Sequence, residues 1–182
     1  MRKVYAIIGL LMVNFVCMSQ NFNFSYSQMT PSNLFTNILT AGKIGENIYQ
    51  IKSDRKGLYL DIFDSQKMSL LSSKLFKANK CESSDCIDKH FDYIKTSFMK
   101  DAILLFFETY DRKADQRMLF VQKVNLNGNF EGKLVQIDKI DTKKRSEGSF
   151  RVWQSEDSTK FMIINNPPFE KYNNEKFGFK IY

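Results

Sequence analysis

The chain has 182 residues and a formal net charge of +7, and 43% of its residues are hydrophobic. A chain of this length can form one domain that buries about 70% of its unfolded surface, so a sizeable core is expected. The single histidine excludes metal sites built from several histidines.

The first 19 residues have the pattern of a secretory signal peptide. A basic n-region at residues 2–3 precedes an apolar run over residues 4–16. Small residues at Cys17 and Ser19 place the cleavage site between Ser19 and Gln20. The apolar run is shorter than the about 20 residues of a membrane-spanning helix, and no later segment comes closer. The sequence therefore predicts a removable signal helix and an exported mature chain without a transmembrane segment.

Two further features of the sequence bear on how the exported protein is anchored and on what it binds. Cys17 has an alternative interpretation as the lipidated residue of a lipoprotein signal, but Val16 stands where that signal has a small residue. A basic chain can bind nucleic acid or anionic surfaces, yet an exported protein rarely meets nucleic acid, so we expect no such partner. The densest basic run, residues 143–145, is interpreted as a solvated loop, with an anion-binding patch as the alternative.

Cys81 and Cys86 remain as an even pair after cleavage, separated by Glu-Ser-Ser-Asp. In an oxidising compartment this spacing predicts a disulfide, which would stabilise the fold by about 2 kcal/mol. Free thiols and a metal or redox role are the alternatives. No second cysteine pair or histidine cluster accompanies them to complete a zinc site.

Short apolar segments alternate with polar turns along the mature chain, which predicts strands. Residues 20–43 form a polar leader or contain a first strand at 33–39. The further strands are predicted over residues 48–51, 58–63, 70–76, 91–98, 102–110, 118–124, 133–137, 150–154, 161–164 and 177–182. No segment after the signal has a helical period, so the predicted fold class is all-β with antiparallel sheets.

The strand groups resemble one another. Leu58–Asp64 aligns with Leu119–Asn125 and then with Phe177–Tyr182, at intervals of 61 and 58 residues. A period of about 60 residues with four strands predicts blade-like repeats over about 44–80, 89–140 and 146–182, the last one incomplete. This is a partial β-propeller of about two and two-thirds blades.

The segment 145–182 carries a family resemblance. Within it, Phe150–Ile164 resembles the WD40-like repeats of TolB-type propellers of the bacterial envelope, in which a strand leads to Ser-Pro-Asp-Gly-Lys and a second apolar strand. Here residues 155–160 read Ser-Glu-Asp-Ser-Thr-Lys, with Glu for Pro and Ser for Gly. The resemblance implies a propeller fold and an envelope location. Since a propeller has about four to eight blades, we expect a fragment of a longer protein, the alternative being a small complete sheet or sandwich.

Catalytic signatures are not found. His90 is interpreted as a surface loop residue because no nucleophile elbow accompanies it. Asp111 and Asp115 lack the rest of a calcium loop and are interpreted as a turn, and Trp153 is expected in the core. We therefore expect no enzyme activity, no cofactor and no metal.

One loop stands out as a possible binding loop. Pro167 and Pro168 stiffen it, and Phe169 and Tyr172 are presented beside them at low entropic cost. A rigid connector is the alternative. Taken together, the sequence favours an exported propeller-like binding or scaffold protein of the periplasm, outer membrane or medium, with a protein or glycan partner. The alternative is the non-catalytic propeller portion of a larger exported hydrolase.

Cleavage and the disulfide together predict the mass of the native protein. Protein from the envelope or secreted fraction should have the mass of Gln20–Tyr182, and reduction should add two hydrogens because one disulfide opens. Intact-mass spectrometry with and without reductant tests this. Alkylation of both Cys81 and Cys86 without reductant would contradict the disulfide, and a much larger species would show that these residues belong to a longer protein.

Overall fold

The computed structural model describes residues 36–78, 86–168 and 178–182. The predicted signal peptide and most of the predicted leader lie outside these residues. In the described part of the chain the regular elements are all strands, and each pair of neighbouring strands is antiparallel. The prediction of an all-β antiparallel fold is confirmed, and the described strands do not close into a barrel or a ring.

Three sheets follow one another along the chain. Sheet A has the order β1 (Asn37–Ile44), β2 (Asn47–Ser53), β3 (Gly57–Asp64), β4 (Leu70–Ala78). Sheet B has the order β5 (Asp92–Phe98), β6 (Ile103–Asp111), β7 (Gln116–Val124), β8 (Phe130–Asp141). Sheet C has the order β11 (Gly178–Ile181), β10 (Phe161–Asn166), β9 (Ser149–Gln154). The three self-similar sequence segments lie at β3, β7 and β11, each the third strand of its sheet.

The turns between strands are built by side chains that accept backbone hydrogen bonds. The Asp54 carboxylate accepts from the N–H groups two and three residues later, and Asp64 and Asp111 do the same. The Asn125 side chain accepts from Asn127 and Asn129. Such local bonds favour a turn at these positions, which is why the sequence indicates them well.

The first strand lies later than the sequence suggested. β1 runs to Ile44, whereas the predicted strand within the leader covered residues 33–39. Gly45 has a φ of 59° at the first position of the two-residue turn before β2, as a type II′ hairpin requires. β1 forms because this turn pairs it with β2, although its own apolar residues show little alternation.

Two apolar layers join the sheets. One lies between sheets A and B and includes Tyr49, Leu60 and Leu105, all buried. The other lies between sheets B and C and includes Phe106 and Ile163. Sheet B is therefore the middle of a three-sheet stack.

The packing of the three sheets predicts at which leucines a change to alanine lowers the stability of the fold. Leu105→Ala should lower the free energy of unfolding by about 2–5 kcal/mol, because it opens a cavity between sheets A and B. Leu71→Ala on β4 is the matched control: that side chain is 56% exposed, and its loss should change stability by less than about 0.5 kcal/mol. Urea unfolding measures both, and equal losses would contradict the described packing.

Candidate functional site

The first strands of the three sheets lie side by side. β1 approaches β5 where Gly42 faces the Phe98 ring, and a side chain at Gly42 would overlap that ring. On the other side of β5, the Lys95 ammonium donates to the Val152 carbonyl of β9 at 2.7 Å. The ends of these strands, and the turns that follow them, are thereby brought to one place.

Gln154 fastens the ends of β5 and β9 together. Its side-chain oxygen accepts from the Phe98 N–H at 3.0 Å, and its side-chain nitrogen donates to the Phe98 carbonyl at 2.7 Å. The same nitrogen donates to the Ser158 hydroxyl at 2.8 Å. The Lys100 N–H donates to the Ser158 carbonyl at 3.3 Å. The two turns are therefore held by direct hydrogen bonds.

A cavity of about 220 Å³ lies where the turns meet. Each sheet contributes the end of its first strand or the turn that follows. The lining residues are Lys43, Ile44, Gly45, Phe98, Met99, Lys100, Asp157 and Ser158. Because three sheets supply its walls, the cavity depends on the whole stack.

The polar groups that line this cavity differ in how far other residues already bond them. Within the described residues, neither the Lys43 nor the Lys100 ammonium group forms an ion pair. The Ser158 hydroxyl accepts from Gln154, which leaves its own hydrogen able to donate. The Asp157 carboxylate is engaged within its own turn. The cavity is therefore lined by residues of both charges, the positive Lys43 and Lys100 and the negative Asp157, with the Ser158 hydroxyl as a hydrogen-bond donor.

Hydrogen bonds hold Asp157 in its ionised form. Its carboxylate accepts from the Ser155 hydroxyl at 2.6 Å and from the Thr159 hydroxyl and N–H at 2.8 and 3.1 Å. These bonds, that of Ser155 foremost, lower the pKa of Asp157 from 3.8 to about 2. The turn therefore keeps its negative charge at any physiological pH.

The backbone of this turn has a conformation that favours glycine, and a serine adopts it. Ser158 has a φ of 55°, the left-handed backbone region that glycine adopts without steric cost. This is the position at which the WD40-like pattern has glycine. The strain is offset by the hydrogen bond that the Ser158 hydroxyl accepts from Gln154.

Of the residues predicted to form sites, only some lie in the described part of the chain. Cys86 is disulfide-bonded, but Cys81 lies outside the described residues, so their pairing stays a prediction. Pro167 and Pro168 follow β10, at the opposite end of this strand from the cavity, and Pro168 lies near Gly148. Phe169 and Tyr172 lie outside the described residues, so the proposed binding loop also stays a prediction.

His90 and two residues of the basic run lie on the surface. The His90 side chain is 75% exposed and lies 3.7 Å from Asp88. Lys144 and Arg145 of the basic run form ion pairs with Glu147 and Asp92 at 2.8 and 3.0 Å. Among the residues that the structure describes, no three acidic, cysteine or histidine side chains are grouped as metal ligands would be.

Trp153 is a correction to the sequence analysis. It was expected in the core, but 54% of its surface is exposed. The alternation along β9 directs Phe150 and Val152 to the layer against sheet B, so Trp153 points the other way. The Lys95 ammonium lies 5.7 Å from its ring centre, within reach of a cation–π interaction.

The cavity itself was missed by sequence analysis. Lys43 and Lys100 are ordinary residues beside strand ends, and nothing local distinguishes them from other lysines. Their predicted positions gave no signal either, because Lys43 lay in the predicted leader and Lys100 in the predicted turn after the strand at 91–98. Their proximity arises only when the sheets stack.

Comparison of the chain with protein-family models, with curated proteins and with solved structures finds no match. The WD40-like resemblance is therefore not tested by relatives. In the described ranges, no helix is long and apolar enough to cross a membrane. The cavity, with its charges and its turns, is what remains to support a function.

The pKa of Asp157 is directly measurable. A carbon-detected NMR titration should give a midpoint near 2, so the stability contributed by this carboxylate is complete above pH 4 and is lost as the pH falls towards 2. Ser155→Ala should raise the midpoint towards 3.8, because it removes the largest contribution. Ser73→Ala, which removes a hydroxyl bonded to Asp61 instead, is the control and should leave it unchanged. A midpoint near 3.8 in the unaltered protein would contradict these hydrogen bonds.

Proposed function

We propose that the chain is an exported, propeller-like binding module of the bacterial cell envelope. Its partner, a protein or a glycan, presents a carboxylate that enters the cavity lined by Lys43 and Lys100. The observation that carries this proposal is the meeting of three turns, one from each sheet, at a cavity lined by two lysines that form no ion pair among the described residues.

The arrangement of the sheets supports the propeller-like part of the proposal. Successive antiparallel meanders pack face to face, with their first strands adjacent and with β4 and β8 at the far edges of sheets A and B. Successive blades of a propeller have this order. Loops held at the ends of such a scaffold are suited to recognition because the sheets fix their positions.

The size and lining of the cavity support a carboxylate. A volume of about 220 Å³ is below the roughly 300–1,000 Å³ of pockets that enclose a whole small ligand. It suits a single group projecting from a larger partner. Ile44, Phe98 and Met99 supply apolar contact beside the charged group.

Export rests on the sequence, since residues 1–19 lie outside the described residues. No observation among the described residues favours the alternative of a hydrolase-associated propeller. Binding is the function that the lining of the cavity supports best.

Binding can be tested with two sugars that differ in one carboxylate. The probes are the disaccharide of N-acetylglucosamine and N-acetylmuramic acid and the neutral dimer of N-acetylglucosamine, together with a short glutamate-rich peptide. Isotope-labelled protein should show NMR shifts at Phe98–Lys100 with a carboxylate-bearing probe and not with the neutral sugar. The double variant Lys43→Gln with Lys100→Gln should weaken that binding at least tenfold, because two charge-assisted contacts are lost.

Lys139→Gln is the matched control. This lysine lies exposed on β8, at the opposite edge of sheet B from the cavity, and its loss should leave binding unchanged. A response to the sugar acid alone assigns a glycan partner, and a response to the peptide alone assigns a protein. Equal binding of the neutral sugar, or no shift at Phe98–Lys100 with any probe, would contradict the proposal.

A further inference from the structure

The third strand of sheet C has an edge that no other described strand covers. Sheets A and B each contain four strands, and their third strands, β3 and β7, lie between two neighbours. Sheet C contains three described strands, so β11 pairs with β10 on one side only. Within the described residues, the other side of β11 lacks the pairing that β4 and β8 supply in the other two sheets.

The hydrogen bonds to β10 show which backbone groups are directed to this edge. Phe161 and Tyr182 exchange both of their backbone hydrogen bonds, at 3.1 and 3.0 Å. Bonded and non-bonded pairs alternate along an antiparallel ladder. Lys180 therefore also bonds to β10, whereas the N–H and C=O groups of Phe179 and Ile181 point away from it. These groups form a short row with which an additional strand can pair.

The outer edges of sheets A and B are protected in ways that the edge of β11 is not. On β4, the Phe76 carbonyl accepts from the Ile87 N–H at 2.8 Å, so part of that edge is covered. β8 has two register shifts and exposed charged side chains such as that of Lys133. Bulges and charges of this kind disfavour the addition of a further strand. The charge on β11, that of Lys180, is instead paired with Asp138 of sheet B.

The side chains of β11 indicate the chemistry of a strand that would fit beside it. Phe179 and Ile181 lie on one face and are 71% and 64% exposed, and each has a described cross-strand neighbour on one side only. Lys180 lies on the opposite face, 2.7 Å from Asp138. Side chains of adjacent strands pair on the same face. A matching strand therefore has apolar residues at alternate positions, with small polar residues between them.

We propose that residues 21–27 of this chain form the fourth strand of sheet C, antiparallel to β11. The segment lies outside the described residues and reads Asn-Phe-Asn-Phe-Ser-Tyr-Ser, in which aromatic residues alternate with asparagine or serine. Its aromatic side chains match the apolar face of β11, and its small polar side chains match the face that carries Lys180. The sequences of 79–85 and 169–177, also outside the described residues, do not have this alternation.

The direction of the chain is compatible with this pairing. β4 and β8 are antiparallel to the third strands of their sheets, so the added strand should be antiparallel to β11. β11 runs parallel to β9, because both are antiparallel to β10, and β9 ends near the cavity as β1 does. A strand antiparallel to β11 therefore ends at the opposite end of the stack, which is the end at which β1 begins.

The connection between the added strand and β1 is also long enough. Residues 28–36 would join them, and an extended chain of that length spans about 30 Å. From the usual spacings of stacked sheets and paired strands, the fourth position of sheet C lies roughly 25 Å from β1. The same chain can therefore supply the strand. This edge lies on the far side of sheet C from the cavity, so the proposal is independent of the proposed function.

Hydrogen exchange of single amides, followed by NMR, tests the proposal. In the unaltered protein the amides of Phe179 and Ile181 should exchange slowly, because they donate to the added strand. Phe24→Pro should speed their exchange by about tenfold or more, because it removes an N–H group that would face β11. Ser25→Pro is the matched control: the N–H group of that residue would face away from β11, where proline is tolerated, so both amides should stay protected. The Lys180 amide bonds to β10 and should exchange at the same rate in all three proteins, which shows that sheet C is folded.

Three results would overturn the proposal, and each identifies a different state of the edge. Fast exchange of both amides in the unaltered protein shows that the edge of β11 is open. Slow exchange that Phe24→Pro does not change shows that another strand pairs with β11. Slow exchange that is lost when the protein is diluted shows pairing between copies of the chain.

Discussion

The structure depends on the alternation of side chains along β6. Ile103, Leu105 and Phe107 point to sheet A, and Leu104 and Phe106 point to sheet C, so one strand belongs to both apolar layers. Phe107 meets Phe76 edge-on at 6.4 Å, and Phe106 meets Phe161 in the same manner at 5.2 Å. A one-residue shift of β6 against its neighbours would exchange these sets, and both layers would be lost together. The order of the three sheets follows from this single strand.

Polar bonds between sheets then fix their relative positions, which apolar packing alone leaves less determined. Asp138 of β8 is buried, accepts from Lys180 of β11 at 2.7 Å, and accepts from Asn165 of β10 at 3.2 Å. The hydrogen bond from Lys180 is the main reason that the pKa of this lysine is raised. Between sheets A and B, the Tyr49 hydroxyl donates to the Leu126 carbonyl at 3.0 Å. Because a buried polar group without a hydrogen-bond partner lowers the stability of the fold, these bonds favour one alignment of the stack.

Much of the fold could be predicted from the sequence because its strands and turns are set by local chemistry. An aspartate or asparagine that bonds the next backbone N–H groups, as Asp54 does, marks a turn wherever it occurs. The sequence did not reveal that Trp153 is exposed, because the face covered on β9 depends on which sheet packs against it. It did not reveal the cavity either, since Lys43 and Lys100 are brought together only by the stack. The strands and turns are set by residues close together in the sequence, whereas the cavity is formed by residues that are far apart in it.

The turn at Ser158 shows how a departure from a repeat pattern can support the site. Where the WD40-like pattern has glycine, serine adopts the left-handed backbone at a cost of about 1–2 kcal/mol. Its hydroxyl accepts from Gln154, a partly buried bond that contributes about 0.5–1.5 kcal/mol. The two effects nearly cancel, so the substitution costs the fold little. What it adds is a hydroxyl group at the wall of the cavity, held by the same glutamine that joins β5 to β9. Ser158 thus couples the contact between sheets B and C to the wall of the cavity.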